Sequence, residues 1–234
     1  MIKKAMILAA GFGKRLNPIT LNKPKPLLDI GKKTLLSNTI NFLEKFEIEE
    51  VVINTHFLST QIVDYVNKKK FNLKITIINE KEKILDTGGG IYNALKYFNE
   101  SFLCINPDTI WSPNYVNELK KMENKFLLSK TKCCLLVVDK SKSFDKNLKG
   151  DFNLQNDLIN RENIKNFKYI YTGLQIINPE AFLNINQKVF SINKIWNSLI
   201  DKRQLYGFES NLKFLHVSNL KVYQDLLKKK LDIK

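Results

Sequence analysis

Ala5-Met6-Ile7-Leu8-Ala9-Ala10 is an uninterrupted apolar run of strand length that stops at Gly11. Such a run suits a strand buried on both faces, the situation of a parallel sheet covered by helices. The chain beyond it alternates in the same sense. Thr34 to Phe46 has helical spacing, with Leu36, Ile40 and Leu43 in one stripe; Glu50 to Asn54 is a β-branched strand and Leu58 to Val66 a second helix. Leu73 to Ile78 predicts a strand, Gly90 to Phe98 a helix and Ser101 to Ile105 another buried strand. Further along, Asn114 to Leu127 predicts a helix, Cys133 to Asp139, Gly150 to Leu154 and Lys168 to Ile177 strands, and Ile192 to Ile200 and Leu220 to Leu227 helices. This pattern predicts an α/β fold with a doubly wound sheet whose crossovers are helices. At 234 residues the chain suits one domain, and the polar stretch from Lys140 to Asn163 reads as a lobe closing over a site. The sequence has no hexapeptide period, so a C-terminal β-helix is not expected.

Charge is the unusual quantity. Thirty-eight Lys and Arg against 23 Asp and Glu give +15 and an isoelectric point near 9.6, which raises the question of an anionic partner. The lysines are scattered, as in Lys68-Lys69-Lys70 and Lys120-Lys121, and form no basic arm. A chain rich in Lys, Asn and Ile is also what AT-biased codon usage produces. No helix-turn-helix or aromatic-interleaved basic motif accompanies the charge, so nucleic acid is not expected as a partner. Nor is a membrane: the six-residue apolar run near the N-terminus is too short for a signal peptide, and no stretch approaches a transmembrane span. Cys104, Cys133 and Cys134 have neither zinc nor disulfide spacing; adjacent Cys133 and Cys134 point to opposite faces of a strand, which predicts buried, reduced thiols and a cytoplasmic location.

The few glycines and prolines sit where chemistry is expected. Six of the nine glycines fall at Gly11, Gly13, Gly31 and Gly88-Gly89-Gly90, and Pro18, Pro24 and Pro26 share the first window. Glycine lets a backbone approach a ligand closely, and successive free N–H groups can cradle phosphate oxygens. Strand one ending in Ala10-Gly11-Phe12-Gly13-Lys14-Arg15 therefore sets amide donors and two cations at the carboxyl edge of the sheet. A dinucleotide fingerprint is excluded because Leu16 stands where its third glycine belongs, and a Walker A loop because Gly31-Lys32-Lys33-Thr34 lacks the earlier glycine.

Leu8 to Leu16, Pro18, Thr20 and Lys23-Pro24-Lys25-Pro26-Leu27-Leu28, then Leu85 to Ile91 and Asn106-Pro107-Asp108-Thr109-Ile110-Trp111, together resemble the spaced signature of sugar-1-phosphate nucleotidyltransferases. The later motifs, with Gly150-Asp151-Phe152 and Tyr171 to Gln175, are similar to the branch of N-acetylmuramate 1-phosphate uridylyltransferases and mannose-1-phosphate guanylyltransferase-like proteins. The resemblance covers essentially the whole chain and thins beyond residue 140. It implies a Rossmann-like doubly wound mixed sheet of the nucleotide-diphospho-sugar transferase type. It further implies one domain in which residues 1–139 form a nucleotide-binding half and residues 140–234 a sugar-binding half.

The resemblance also implies a set of roles. An NTP and a sugar 1-phosphate, in the first place UTP and N-acetylmuramate 1-phosphate, would meet with Mg²⁺ as cofactor, and transfer would rest on positioning and electrostatics; a mannose-1-phosphate guanylyltransferase-like activity or a non-catalytic nucleotide-binding relative is the alternative. Arg15 and Lys25 would neutralise phosphates, and Asp108 would bind the metal. Ala10, Gly11, Gly13, Glu80, Gly88 and Gly89 would frame the nucleotide, and Asn106, Asp151 and Thr172 the sugar. Lys14 and Lys23 are left open, and His56 reads as a structural residue at a strand end. His216, in Leu215-His216-Val217-Ser218-Asn219, stands where the family usually has a second metal-binding Asp. It is a poor Mg²⁺ ligand but can donate a hydrogen bond to a phosphate or to a metal-bound water.

Overall fold

The computed structural model describes residues 1–162 and 166–229. In chain order the first half contains β1 (Lys4–Leu8), β2 (Asp29–Ile30), β3 (Lys33–Thr34), α1 (Leu35–Lys45), β4 (Glu50–Thr55), α2 (Ser59–Lys68), β5 (Lys74–Asn79), α3 (Asp86–Ala94), β6 (Phe102–Ile105) and α4 (Tyr115–Leu128). The second half adds β7 (Cys133–Asp139), β8 (Asn153–Gln155), β9 (Leu158–Asn160), β10 (Tyr169–Ile177), α5 (Asn193–Asp201), β11 (Leu205–Ser210) and α6 (Leu220–Lys228).

Nine strands form one mixed sheet in the order β5-β4-β1-β6-β10-β7-β11-β9-β8, and β2 and β3 form a separate hairpin. The first four strands run parallel, whereas β10 lies antiparallel between β6 and β7. Side-chain alternation sends each strand into two cores. Ala5, Ile7, Val51, Ile53, Leu103 and Ile105 face α1, α2 and α4, while Met6, Val52 and Cys104 face α3 and α5. The α/β reading is therefore right, with helices on both faces of the sheet.

Local chemistry fixes the element ends. Helix α1 starts at Thr34, whose hydroxyl accepts from the Ser37 amide at 3.1 Å while the Ser37 hydroxyl accepts from the Thr34 amide at 3.0 Å. This reciprocal cap satisfies two amides that have no helical partner. It sets the apolar stripe of Leu36, Ile40 and Leu43 against the sheet.

Three elements differ from the sequence reading. Strand β11 has no clear sequence signal, because Leu205-Tyr206-Gly207-Phe208-Glu209-Ser210 is interrupted by glycine and ends in polar residues. The structure gives the reason for that glycine: a Cβ at Gly207 would stand 2.7 Å from Ile159 and Leu154 side-chain carbons. Likewise the β2–β3 hairpin is too short to leave a periodic signal. Helix α3 begins at Asp86, not Gly90, so the glycine triplet lies inside its first turns. The polar stretch 140–163 contributes β8 and β9 to the sheet edge; Asn163 itself lies outside the described residues.

Cys133 and Cys134 do fall on opposite faces, in different cores, and all three cysteines are buried and unpaired. Burial pushes the Cys104 and Cys134 thiols up to about 12 and Cys133 well above its ordinary value. The thiolate is the reactive form. A thiol-specific chromogenic disulfide at about pH 8 is therefore expected to label none of the three in the native protein and all three after denaturation; rapid native labelling would contradict the packing. Leu136, fully buried, tests the core itself. Leu136→Ala is expected to cost about 2–5 kcal/mol in urea unfolding, whereas Leu128→Ala, at a side chain 90% exposed, should stay within about 0.5 kcal/mol.

Candidate active site

The carboxyl ends of β1 and β6 open onto a cavity of about 390 Å³ between the glycine loop, residues 84–87 and residues 106–108. The loop has its own constraints. Gly13 holds φ +66°, and a Cβ there would stand 3.1 Å from Thr20 and 3.2 Å from the Lys25 Cβ. Glycine at 13 thus allows both the left-handed turn and the close passage of the Lys25 backbone. Thr20 pins the turn by donating to the Gly13 carbonyl at 3.0 Å. Among the described residues no acceptor takes the amide N–H groups of Gly11, Phe12 or Gly13. These donors sit on a loop that lines the cavity. Arg15 and Lys14 line it too, and Arg15 has no carboxylate partner among the described residues. Lys23, by contrast, is exposed and paired with Asp29 at 2.6 Å.

Lys25 and Asp108 converge from distant parts of the chain. The Lys25 ammonium lies 2.6 Å from Asp108 Oδ2, and His216 Nε2 lies 3.1 Å from the same oxygen. The Lys25 and Asp108 side chains are only 14% and 18% exposed. Burial by itself would raise the Asp108 carboxyl. The Lys25 ammonium and the His216 imidazole outweigh it and hold Asp108 well below the usual carboxylate range. His216 reaches this position because residues 108–110 pair with 215–217 as a short antiparallel bridge: Ile110 N–H donates to Leu215 O at 2.8 Å and Val217 N–H to Asp108 O at 2.9 Å. Its ring stacks on Phe214 with centroids 5.6 Å apart.

Asn54, which sequence reasoning missed, organises the floor. Its Oδ1 accepts from the Ala9 amide at 3.0 Å and its Nδ2 donates to Glu80 Oε1 at 2.6 Å. Glu80 Oε2 accepts from the Leu85 amide at 2.8 Å. Glu80 lines the cavity, yet both carboxylate oxygens are engaged, so it braces β1, β4 and the start of α3 from beneath. The polar residue closing the apolar run Val51-Val52-Ile53 was the signal available for Asn54. His56 Nδ1 contacts the Glu80 carbonyl at 2.7 Å, a strand-end contact of the structural kind.

The other expected residues divide. Ala10, Gly11 and Asn106 line the cavity. Asn106 packs against Gly173, whose φ of +89° lies within a bulge of β10 opposite β7; a Cβ at 173 would stand 3.0 Å from that of Asn106. Thr172 is a correction. It is 1% exposed, donates its hydroxyl to Leu136 O at 2.8 Å and lends its carbonyl to Thr109, so its side chain is turned into the protein instead of lining the cavity. Gly88 and Gly89 also need a different explanation. Side chains there would collide with Phe190 at 2.5 Å and with the Lys188 carbonyl at 2.2 Å, so the glycines admit the chain's own segment 188–192. Asp86 and Thr87 provide the cavity wall at that point. Asp151 stands on the β8 side, its Oδ2 accepting from the Tyr171 amide at 2.9 Å.

The donor set bears on a metal. Among the described residues no three His, Cys, Asp or Glu side chains are grouped to hold an ion. Of the carboxylates that line the cavity, Glu80 has both oxygens engaged and Asp86 caps Thr87, while Asp108 lies beside Lys25 at the end of β6, a donor that fits a divalent cation taking its remaining ligands from phosphate oxygens and water. No described helix is long and apolar enough to cross a membrane.

Residues 4–144, more than half of the chain, match the nucleotidyl transferase family model. N-acetylmuramate alpha-1-phosphate uridylyltransferase of Caulobacter vibrioides is 26% identical, over 93% of this chain and 92% of that protein. The enzyme of the same name from Neisseria meningitidis serogroup B is 31% identical over 76% of this chain and 77% of its own length. Mannose-1-phosphate guanyltransferase of Saccharomyces cerevisiae is 31% identical, with 88% of this chain spanning 58% of the yeast protein. Among solved structures, HddC from Yersinia pseudotuberculosis complexed with GMP-PN superposes with a TM-score of 0.77 at 24% identity, over 97% of this chain and 99% of that one. A UDP-glucose pyrophosphorylase complexed with UDP-glucose gives 0.76 at 18% identity, over 98% of both chains. These two share the fold. The chain belongs to the nucleotidyl transferase family, and within it to the sugar-1-phosphate nucleotidyltransferases.

Proposed function

We propose that the chain joins an NTP to a sugar 1-phosphate with Mg²⁺ as the metal, and that UTP and N-acetylmuramate 1-phosphate are its substrates. The observation that carries this reading is the convergence of Lys25, Asp108 and the free amides of Gly11 to Gly13 on one cavity wall. Two relatives of that specificity, aligned over most of their own length, support the substrate pair. Mannose 1-phosphate with GTP is the second reading, favoured by the yeast relative.

In the reaction an oxygen of the sugar phosphate attacks the α-phosphorus, a new P–O bond forms, and the bond to the β-phosphate oxygen breaks to release pyrophosphate. The chain has to bring two polyanions together and hold the charge that gathers on the leaving group. The loop amides and Arg15 would bind the β- and γ-phosphates, Arg15 through its planar two-pronged donor. Lys25 would exchange its contact with Asp108 for the α-phosphate or the entering sugar phosphate. Bound through Asp108, Mg²⁺ would supply charge neutralisation across the phosphate oxygens. His216 would hold Asp108 oriented while Lys25 moves. In this scheme residues 1–139 serve the nucleotide and residues 140–234 the sugar, in a cytoplasmic enzyme.

Purified protein incubated with each NTP, Mg²⁺ and a panel of sugar 1-phosphates is expected to release pyrophosphate fastest with UTP and N-acetylmuramate 1-phosphate. Absence of release with every pair would reject the reading. Asp108→Asn is expected to lower kcat/KM about 10²–10³-fold. Arg15→Ala should raise the KM for the NTP about tenfold or more, because charge-assisted hydrogen bonds to phosphate are lost. Arg15→Ala should leave the thermal midpoint in place, whereas Asp108→Asn, which leaves the Lys25 ammonium without its counter-charge, should lower it while the protein remains folded at the assay temperature. Near-normal kinetics in either variant would remove that residue from the scheme.

A further inference from the structure

Arg161 is a half-buried cation with no carboxylate partner among the described residues. Its two terminal nitrogens donate to neutral amides instead, Nη1 to Asn197 Oδ1 at 2.5 Å and Nη2 to Asn193 Oδ1, both on α5. The guanidinium lies over the Phe152 ring, 4.7 Å from its centroid. Asp151 is the carboxylate on which its charge acts, but the pair is not in salt-bridge contact, and Asp151 turns one oxygen to the Tyr171 amide. A guanidinium fixed in orientation and left uncompensated is poised for an anion that comes from outside the chain. Planar stacking and two amide anchors also remove most of the freedom such a long side chain would otherwise lose on binding.

The position suggests which anion. Phe152, Trp196 and Tyr171 form a run of rings, with centroids 5.7 Å apart from Phe152 to Trp196 and 4.9 Å from Trp196 to Tyr171. The Tyr171 amide donates to Asp151 at 2.9 Å, and two residues along β10 the Gly173 carbonyl accepts from the amide of Asn106 at 2.7 Å, so β10 leads from the cavity-lining Asn106 to Asp151. Arg161 is at the far end of this aromatic run. Lys25 and the glycine loop already serve the phosphates at the near end. Resting on the transferase activity proposed above, we infer that Arg161 is a specificity-determining residue: it pairs with a carboxylate carried by the sugar, and so selects acidic sugar 1-phosphates over neutral ones. N-acetylmuramate has such a group in its lactyl ether; mannose has none. Asp151 would accept a sugar hydroxyl beside it.

A matched pair of substrates tests this, since N-acetylmuramate 1-phosphate and N-acetylglucosamine 1-phosphate differ by the lactyl group alone. With UTP and Mg²⁺, the wild-type ratio of kcat/KM for the acidic over the neutral sugar is expected to exceed about ten, set mainly by KM. Arg161→Gln should bring that ratio close to one, and Arg161→Lys should restore part of it. Asn193→Ala with Asn197→Ala keeps the charge but frees the side chain, and should lower the ratio as well; this variant carries the test if Arg161→Gln folds poorly by thermal melting. If Arg161→Gln slows both sugars equally, Arg161 holds the shared 1-phosphate or merely ties β9 to α5, and the inference fails while the transferase reading stands. Turnover of neither sugar, and of no other, would overturn both.

Discussion

The ion pair between Lys25 and Asp108 is the contact around which the site is assembled. Its partners are 83 residues apart in sequence and 2.6 Å apart in space. Lys25 arrives there because Gly13 leaves room beside it, where a Cβ at 13 would stand 3.2 Å from the Lys25 Cβ, and because Pro24 and Pro26 confine its backbone. Asp108 arrives as a residue just beyond β6, in the parallel part of the sheet where strand ends and loops meet. His216 arrives from a third direction, through the bridge to Thr109. A carboxylate buried to this degree is stable only when opposed by positive charge or donors. The structure supplies them now, and a triphosphate with its metal would replace them during the reaction.

That dependence explains which parts of the sequence could be read. The glycine loop, the Lys25 segment and Asp108 were legible because each rests on a local rule: an apolar run ending in glycine, prolines that stiffen a loop, a carboxylate after a buried strand. The two-faced core was legible for the same reason, since strand alternation and helical stripes are local. Asn54, Arg161 and β11 were harder, because their meaning lies in contacts across the fold. Asn54 matters through Ala9 and Glu80, and Gly207 through Ile159 and Leu154. Thr172 and the Gly88-Gly89 pair show the opposite failure. Their residue types fit a ligand, but the chain's own Leu136 carbonyl and segment 188–192 occupy the groups concerned.

The +15 net charge resolves in the same way. Most of it is a scattered surface background, with exposed pairs such as Lys23–Asp29 and Lys3–Glu49 that contribute about 0–1 kcal/mol each. The cations to which the proposed reading gives chemical consequence are few: Arg15 on the glycine loop that lines the cavity, Lys25 held against Asp108, and Arg161 on its aromatic and amide seat. On the proposed reading, small anions bearing phosphate or carboxylate are what these cations complement.

The central claim is that Asp108 links the metal to the triphosphate, and a binding cycle measures it without turnover. UTP affinity would be determined by calorimetry with and without Mg²⁺, for the wild type and for Asp108→Asn, in the absence of any sugar phosphate. Mg²⁺ is expected to tighten UTP binding in the wild type and to do so about tenfold less in Asp108→Asn. An equal effect of Mg²⁺ on both proteins would contradict it.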